Sequence, residues 1–556
     1  MAEELGLMHD ISSFLHQPLT ESLLSVHPNQ LCSPSFDIPS LWISWWDWAG
    51  ETQVENNLLP EHASAPTVPK SLVLLRYYLC GSDPNIAGNS CIPYDLRILV
   101  DEARRLQISR QTGLARPALC TGNHEANDAK TEHGGSGSDD GPGVAFLSFQ
   151  DQRLRGMSPK KAHEVLRMTE CISRLVSSCT RLGNVRHAVD IGAGQAYLSR
   201  QLRDDMSMRV LALDWSDTQT KGAARRDEVS QNTGHPQKAA SDPAASAASR
   251  PMCGKDLLTY KTTRITADSL LKVTDEWIND QVLGNSIPHL HVCNLDGTQS
   301  DQEPVPVFLV ALHACGSLTP HILRAFLSSC RADDTTRTWV SSAAVIVGCC
   351  YNMLDPKDFP LSDALTSSSQ TAQVVLTPSH LQLAAQVPSQ WLRTEDTLNA
   401  AKLAIKKVVW RALLQGMLEK RRAETGSLDM HEGQRETAGA GAGPRRLGRL
   451  NNSVYVDWGI FLAQASSKLG VDLAESEGRD MAIESRMEVF HVLRCILGPV
   501  VESLILLDRQ QYLKEKLQDT EMDVRLVNLF DQASGSGRNV AIVIAPRLAE
   551  GVLPWP

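Results

Sequence analysis

The sequence predicts an α/β fold: a Rossmann-like sheet of seven strands, with a helical N-terminal region and a helical insertion before the last two strands. Three observations carry this. The apolar stretch Ala188 to Ile191 runs into a glycine turn, Gly192-Ala193-Gly194, and then into a helix-forming segment with Leu198 and Leu202 one turn apart. Downstream, uniformly apolar runs alternate with helical spacing, as buried parallel strands and their crossover helices require. Two final apolar runs, Val524 to Phe530 and Asn539 to Ala545, are joined by the short Gly/Ser-rich segment 531–537 and read as a hairpin.

Before Thr121 the spacing is helical. Leu72, Leu75 and Leu79 share one face of a helix, and Trp42, Trp45, Trp46 and Trp48 crowd one short segment. Such a tryptophan cluster either stacks bases or forms a packing face, and packing is the commoner use. Three stretches have too few large apolar residues to offset chain entropy: Thr121 to Gly143, Ser216 to Pro251 and Glu424 to Arg446. The expected organisation is a helical region 1–120, a linker 121–143 and a core 144–354 with a disordered insertion at 216–252. A helical insertion 355–486 with a flexible loop 424–446 follows, and 487–556 complete the sheet with a helix and the hairpin.

Within the core, Val210 to Asp214 is the second strand, Tyr260 to Thr266 the third, Val305 to Leu312 the fourth and Ala343 to Gly348 the fifth. Helices are expected near Ser269 to Asp280, Thr319 to Leu327 and Met487 to Leu517.

The first turn defines a ligand. Glycines let the backbone approach a nucleotide-type cofactor, and the acid Asp214 lies about 20 residues on, where a ribose hydroxyl pair is held. Asp190, just before the first glycine, would repel a pyrophosphate. It suits S-adenosylmethionine, which lacks phosphate and carries a cationic amino group and a sulfonium. The expected cofactor-binding set is Asp190, Gly192, Ala193, Gly194, Gln195, Asp214, Trp215, His313, Lys160 and His163. Trp215 either covers the adenine or is a core tryptophan, and Asp268 is a weaker adenine partner. Lys160, His163 and Glu164 share a helical face. They either meet the methionine end of the cofactor or belong to an amphipathic helix capped by Ser158.

The chain has 556 residues and a net charge of −10, so its overall field does not attract nucleic acid and any RNA contact needs a local basic patch. Lys406-Lys407, Lys420-Arg421-Arg422 and Arg445-Arg446 with Arg449 are the candidates, or are solvated faces. Thirteen scattered cysteines suit a reducing compartment, and the acidic start lacks a secretory pattern. We read no apolar run long enough to cross a bilayer. The expected compartment is the cytosol, the nucleus or both, with no membrane partner.

Four segments in order carry a resemblance: Met157 to Val165, Asp190 to Arg200, Leu312-His313-Ala314-Cys315-Gly316-Ser317-Leu318-Thr319, and Val347-Gly348-Cys349-Cys350-Tyr351-Asn352-Met353-Leu354. Leu381 to Trp391, Tyr455 and Phe530-Asp531 to Arg538-Asn539 add weaker matches. Together they resemble the eukaryotic methyltransferase-like family of ribosomal-RNA adenine dimethylase domain-containing proteins, from about Gly156 to the C-terminus. The resemblance implies a class I, S-adenosylmethionine-dependent methyltransferase domain. Its name suggests RNA adenine, yet the Asn/Asp-Pro-Pro-Tyr/Phe segment usual in adenine amino-methylases is replaced by His313-Ala314-Cys315-Gly316. The family more often has Asp where this chain has Ser317.

In the usual strand order the fourth and fifth strands end at the cofactor cleft, and His313, Cys349 and Tyr351 are the expected catalytic residues. His313 suits a general base. Cys315, Cys349 and Cys350 are a metal or redox set, or small residues that make room. Neighbours on a strand point to opposite faces, so Cys349 and Cys350 cannot both ligate unless the strand ends. We adopt the base and space roles and expect no metal. The expected function is methyl transfer to RNA or protein, and the alternative is a catalytically silent adaptor that keeps the fold.

Overall fold

A computed structural model describes residues 2–51, 68–81, 91–110, 156–233, 257–284, 303–331, 337–367, 374–425, 446–473, 479–532 and 536–547. The expected linker, residues 234–251 of the segment from Ser216 to Pro251 and residues 426–445 lie outside them. Among the described residues the helices before the sheet are α1 (Ala2–Leu15), α2 (Pro18–Ser25), α3 (Ile43–Gly50), α4 (Lys70–Cys80), α5 (Tyr94–Arg105) and α6 (Pro159–Ser178). Then come β1 (His187–Ile191), α7 (Tyr197–Met206), β2 (Arg209–Asp214), α8 (Asp217–Thr233), β3 (Leu258–Thr262), α9 (Ala267–Gly284), β4 (Val305–Cys315), α10 (Leu318–Ser329) and β5 (Trp339–Cys349). The insertion holds α11 (Asp363–Thr366), α12 (Pro378–Leu383), α13 (Glu395–Thr425) and α14 (Trp458–Leu469). The chain finishes with α15 (Met481–Lys516), β6 (Met522–Asn528) and β7 (Val540–Pro546).

The seven strands form one sheet in the order β3-β2-β1-β4-β5-β7-β6. Strands β1 to β5 pair in parallel, and β7 runs antiparallel to both β5 and β6. This is the expected Rossmann-like sheet closed by a hairpin. Its apolar strands serve two cores at once, because successive side chains face opposite ways. On β4, Phe308, Val310 and Leu312 enter one core, and Val307, Leu309 and Ala311 enter the other. The first core is covered by α6 and α7 through Val165, Met168, Ile172, Leu198 and Leu202. The second is covered by α9 and α10, and by Leu506 and Leu513 of α15.

The third core is helical. It joins Met8 to Leu106 of the N-terminal region with the insertion and with α15 as far as Leu507. Trp42 and Trp45 are fully buried there, with ring centroids 5.2 and 6.5 Å from Phe490 of α15. The tryptophan cluster is therefore a packing face. Arg486 Nε donates to the Trp46 carbonyl at 3.0 Å, Ser485 Oγ to the Ala49 carbonyl at 2.7 Å, and Lys514 pairs with Glu4 at 2.7 Å. So α15 binds the N-terminal helices from Ser485 to Lys514, and Leu506 and Leu513 of its second half also enter the sheet core.

Two expectations change. Residues 217–233 of the expected disordered insertion form α8. Its composition is poor in large apolar residues, but Ala223 is buried in the sheet core and Arg203 reaches both oxygens of Asp227 at 2.8 and 2.9 Å. Tertiary contacts thus outweigh weak local propensity. The other concerns membranes: α15 is long and apolar enough to cross one by length and composition, although no such run was read from the sequence. Of its apolar window 94% is buried inside the protein, as in a core helix.

Candidate active site

In the sheet order, β1 and β4 are neighbours from which the chain proceeds to opposite edges, and ligands bind beyond the strand ends at such a switch point. The glycine turn sits there. Gly192 (φ +76°) and Gly194 (φ +55°) occupy the left-handed region that glycine adopts without strain. Nothing lies within 4 Å of the position a Cβ would take on Gly194, so the turn borders open space.

The loop is latched to β2. The N–H groups of Gly192 and Ala193 both donate to the Leu213 carbonyl at 2.9 Å, and that of Gly194 donates to Asp214 Oδ2 at 2.9 Å. The other Asp214 oxygen accepts the Ser216 N–H at 2.8 Å. Each carboxylate oxygen still has acceptor capacity for a ligand hydroxyl. Trp215, next in the chain, is 79% exposed, which excludes the core reading. Gln195 turns aside to donate to Gln219.

Asp190 is fully buried beneath the turn. It accepts the Ser199 hydroxyl at 2.5 Å and the Ser199 N–H, so it serves the first turn of α7. Burial pushes its carboxyl up to about 6, against the pull of Ser199 and of the Lys161 ammonium. Lys161 was not singled out from the sequence. Its signal is visible only in hindsight: it is half-buried on α6, where Glu164 and Asp190 are the acids around it.

The third wall of the cleft is the pair of strand ends. His313 Nε2 lies 3.2 Å from Glu164 Oε2, and Glu164 Oε1 accepts the Ser536 hydroxyl at 2.9 Å. Burial pushes Glu164 up, but His313, Ser536 and Lys160 together hold it below the ordinary carboxylate range. Lys160 lies 3.8 Å from the same carboxylate. His163 instead accepts the Asp531 N–H at 3.3 Å, beside the Phe530 ring, and burial lowers its pKa. Gly316 (φ +52°) follows β4, and a Cβ there would come within 2.4 Å of the Met353 carbonyl. Ser317 Oγ accepts the Asp355 N–H at 2.9 Å, which ties the β4 end to the β5 turn.

The cysteines meet. Cys315 Sγ and Cys349 Sγ are 3.2 Å apart, and their shared hydrogen bond lowers the Cys315 pKa and raises that of Cys349. Tyr351 leaves the group: it is 1% exposed, belongs to the helical core, and has Arg509 and Arg538 over its ring at 5.5 and 5.6 Å. Burial raises its pKa. These surroundings suit support of the turn.

A separate cavity of about 620 Å³ opens in the helical unit. Arg411, Arg422, Arg446 and Arg494 line it with His27 and His491, and among the described residues no acid does. Burial, with the Arg494 charge second, lowers the pKa of both histidines. Two of the basic runs, through Arg422 and Arg446, thus reach a concave surface. Lys406 and Lys407 instead lie over Trp410 and Tyr455 at 5.1 and 5.7 Å.

No solved structure matches the chain. It is similar to the probable methyltransferase-like protein 25 of Mus musculus, 22% identical over 67% of this chain and 73% of that protein. The Homo sapiens counterpart is 23% identical over 70% of this chain and 76% of its own length. These names support the methyltransferase part of the resemblance and state no RNA substrate. Residues 160–357, which hold β1 to β5 and the glycine turn, match the family model described as a methyltransferase domain.

Proposed function

We propose that the chain is an S-adenosylmethionine-dependent methyltransferase acting on a macromolecule, RNA or protein, in the cytosol or nucleus. The observation that carries the cofactor is the latched loop. Three of its N–H groups are already spent on Leu213 and Asp214, and Asp190 takes the Ser199 N–H of α7. Such a loop offers a phosphate little, and the buried acid beneath it disfavours one. A phosphate-free, cationic cofactor suits it.

Asp214 would hold the ribose hydroxyls, and exposed Trp215 would lie over the base. Asp190 shapes the turn and adds negative potential beneath the cationic end. The cofactor supplies an electrophilic methyl group on a sulfonium. Glu164 fixes the His313 ring by accepting from Nε2, which leaves Nδ1 to take a proton from the acceptor atom. The arginine-lined cavity supports a phosphate-bearing substrate over an uncharged one.

A silent scaffold is the second reading, favoured by Ser317, whose hydroxyl serves the Asp355 backbone where an acid is more usual. Labelled cofactor with fractionated cell RNA and protein separates the two. Label on one fraction that disappears with Asp190→Ala supports the enzyme, and label unchanged in that variant defeats it.

A further inference from the structure

Three thiols converge at the floor of the cleft. Cys315 ends β4, Cys349 ends β5, and the two are register partners on adjacent parallel strands. Cys350 follows in the left-handed conformation, φ +45° and ψ +50°. On a continuing strand its side chain would face away from that of Cys349. Because the strand ends and the backbone turns, all three Sγ atoms lie within 4.8 Å of one another. Cys349 is buried, whereas Cys315 and Cys350 remain partly open.

We propose that Cys315, Cys349 and Cys350 hold one thiophilic d10 cation, Zn²⁺, with its fourth position open to the cleft. Three sulfurs around a tetrahedral Zn²⁺ at 2.3 Å stand roughly 3.8 Å apart, within the span that the cluster occupies. Thiolates select soft and borderline cations over Mg²⁺ or Ca²⁺. A disulfide would use two of the thiols and leave the third without a reason for its left-handed turn. Three protein ligands with one vacant position is the arrangement of zinc sites that bind a substrate or water. His313 stands two residues before Cys315 on the irregular end of β4, with Glu164 already orienting the ring. The cation would sit beside the proton acceptor, where it can draw in a substrate atom with a lone pair and lower its pKa. This site stands on the three thiols and does not depend on the methyltransferase reading.

The test uses the full chain, reduced, freed of metal with chelator and titrated with Co²⁺, without S-adenosylmethionine. The expected result is one equivalent bound, with thiolate-to-metal charge-transfer absorption displaced by Zn²⁺. That equivalent should be lost in Cys315→Ser and in Cys350→Ser, and kept in Cys330→Ser. Cooperative thermal unfolding of each variant guards against misfolding. Absence of the charge-transfer band in the wild type overturns the site. So does undiminished Co²⁺ uptake by Cys350→Ser, or recovery of Cys315 and Cys349 as a stable disulfide from the purified protein. Cofactor titration on the same samples, scored separately, tells failure of the metal site from failure of the methyltransferase reading.

Discussion

His313 at the end of β4 meets Glu164 of α6 at 3.2 Å, so a helix that precedes the sheet in sequence sets the orientation of the candidate base. Glu164 is buried and also holds Ser536 from the loop before β7. Glu164→Gln should lower the methyl-transfer rate by about 10- to 100-fold, with little change in cofactor affinity. Loss of a charged hydrogen-bond acceptor should cost on the order of 1–3 kcal/mol of stability. Because the folded-state pKa of Glu164 is depressed, its stabilisation is present above the ordinary carboxylate value and lost as pH falls through the depressed one. The stability gap between wild type and Glu164→Gln should therefore close in acid. Urea unfolding at a series of pH values, with steady-state kinetics, checks both. A gap that grows in acid would sink the pairing.

Asp190 predicts the opposite slope. Its carboxyl is raised from 3.8 to about 6 by burial. Its contribution is fully present below the ordinary value and lost as pH rises through about 6. Asp190→Asn, which keeps an acceptor for Ser199, should gain on the wild type between pH 4 and pH 7.5, by up to roughly 3 kcal/mol. Thermal unfolding across that range reads the sign. Cofactor affinity should fall in the same variant, because the negative potential beneath the cationic end is gone.

Asp214 and Trp215 separate latch from lid. Asp214→Ala removes the acceptor for two backbone N–H groups and the proposed ribose ligand, so calorimetric titration should show loss of S-adenosylmethionine binding. Trp215 is exposed and touches no core, so Trp215→Ala should leave unfolding within about 0.5 kcal/mol. It should weaken cofactor binding by about 0.5–1.5 kcal/mol, the worth of an aromatic stack. Unchanged affinity in Trp215→Ala would remove it from the site.

The arginine-lined cavity bears on the substrate. Arg422→Glu with Arg446→Glu should weaken binding to cellular RNA and flatten its salt dependence, since each lost phosphate contact reduces the slope. Filter binding between 50 and 300 mM salt measures both. Equal binding by wild type and variant would point to protein as the substrate.

Much of the sheet was legible because its strands carry the signature of burial on both faces. Val307 to Leu312 reads as an unbroken apolar run, and the structure splits it residue by residue between two cores. The glycine turn was legible for the same kind of reason: positive φ at Gly192 and Gly194 restricts the residue type. What escaped the sequence depends on long-range contact. Lys161 differs in nothing local from other charges on an amphipathic helix, and Glu164, though legible as part of a polar face, acquires its partners only when β4 and the Ser536 loop arrive. Helix α8 looked like a polar linker because its anchor, the Arg203–Asp227 pair, joins residues 24 apart. The meeting of three thiols required knowing that β5 stops at Cys349.

The place of β7 between β5 and β6 has a consequence for how the protein is made. Ribosomes deliver β1 to β5 and then the whole helical insertion before Val540 emerges. Until then the outer margin of β5, with Ala344 to Val347, has no neighbour to satisfy its backbone. At typical elongation rates that interval is roughly ten to forty seconds, long enough for an apolar strand margin to recruit another nascent chain. A nonsense or frameshift lesion ahead of Val540 would make the exposure permanent. Chaperone dependence during synthesis, and insolubility of products that stop before Val540, follow from the order in which the sheet is assembled.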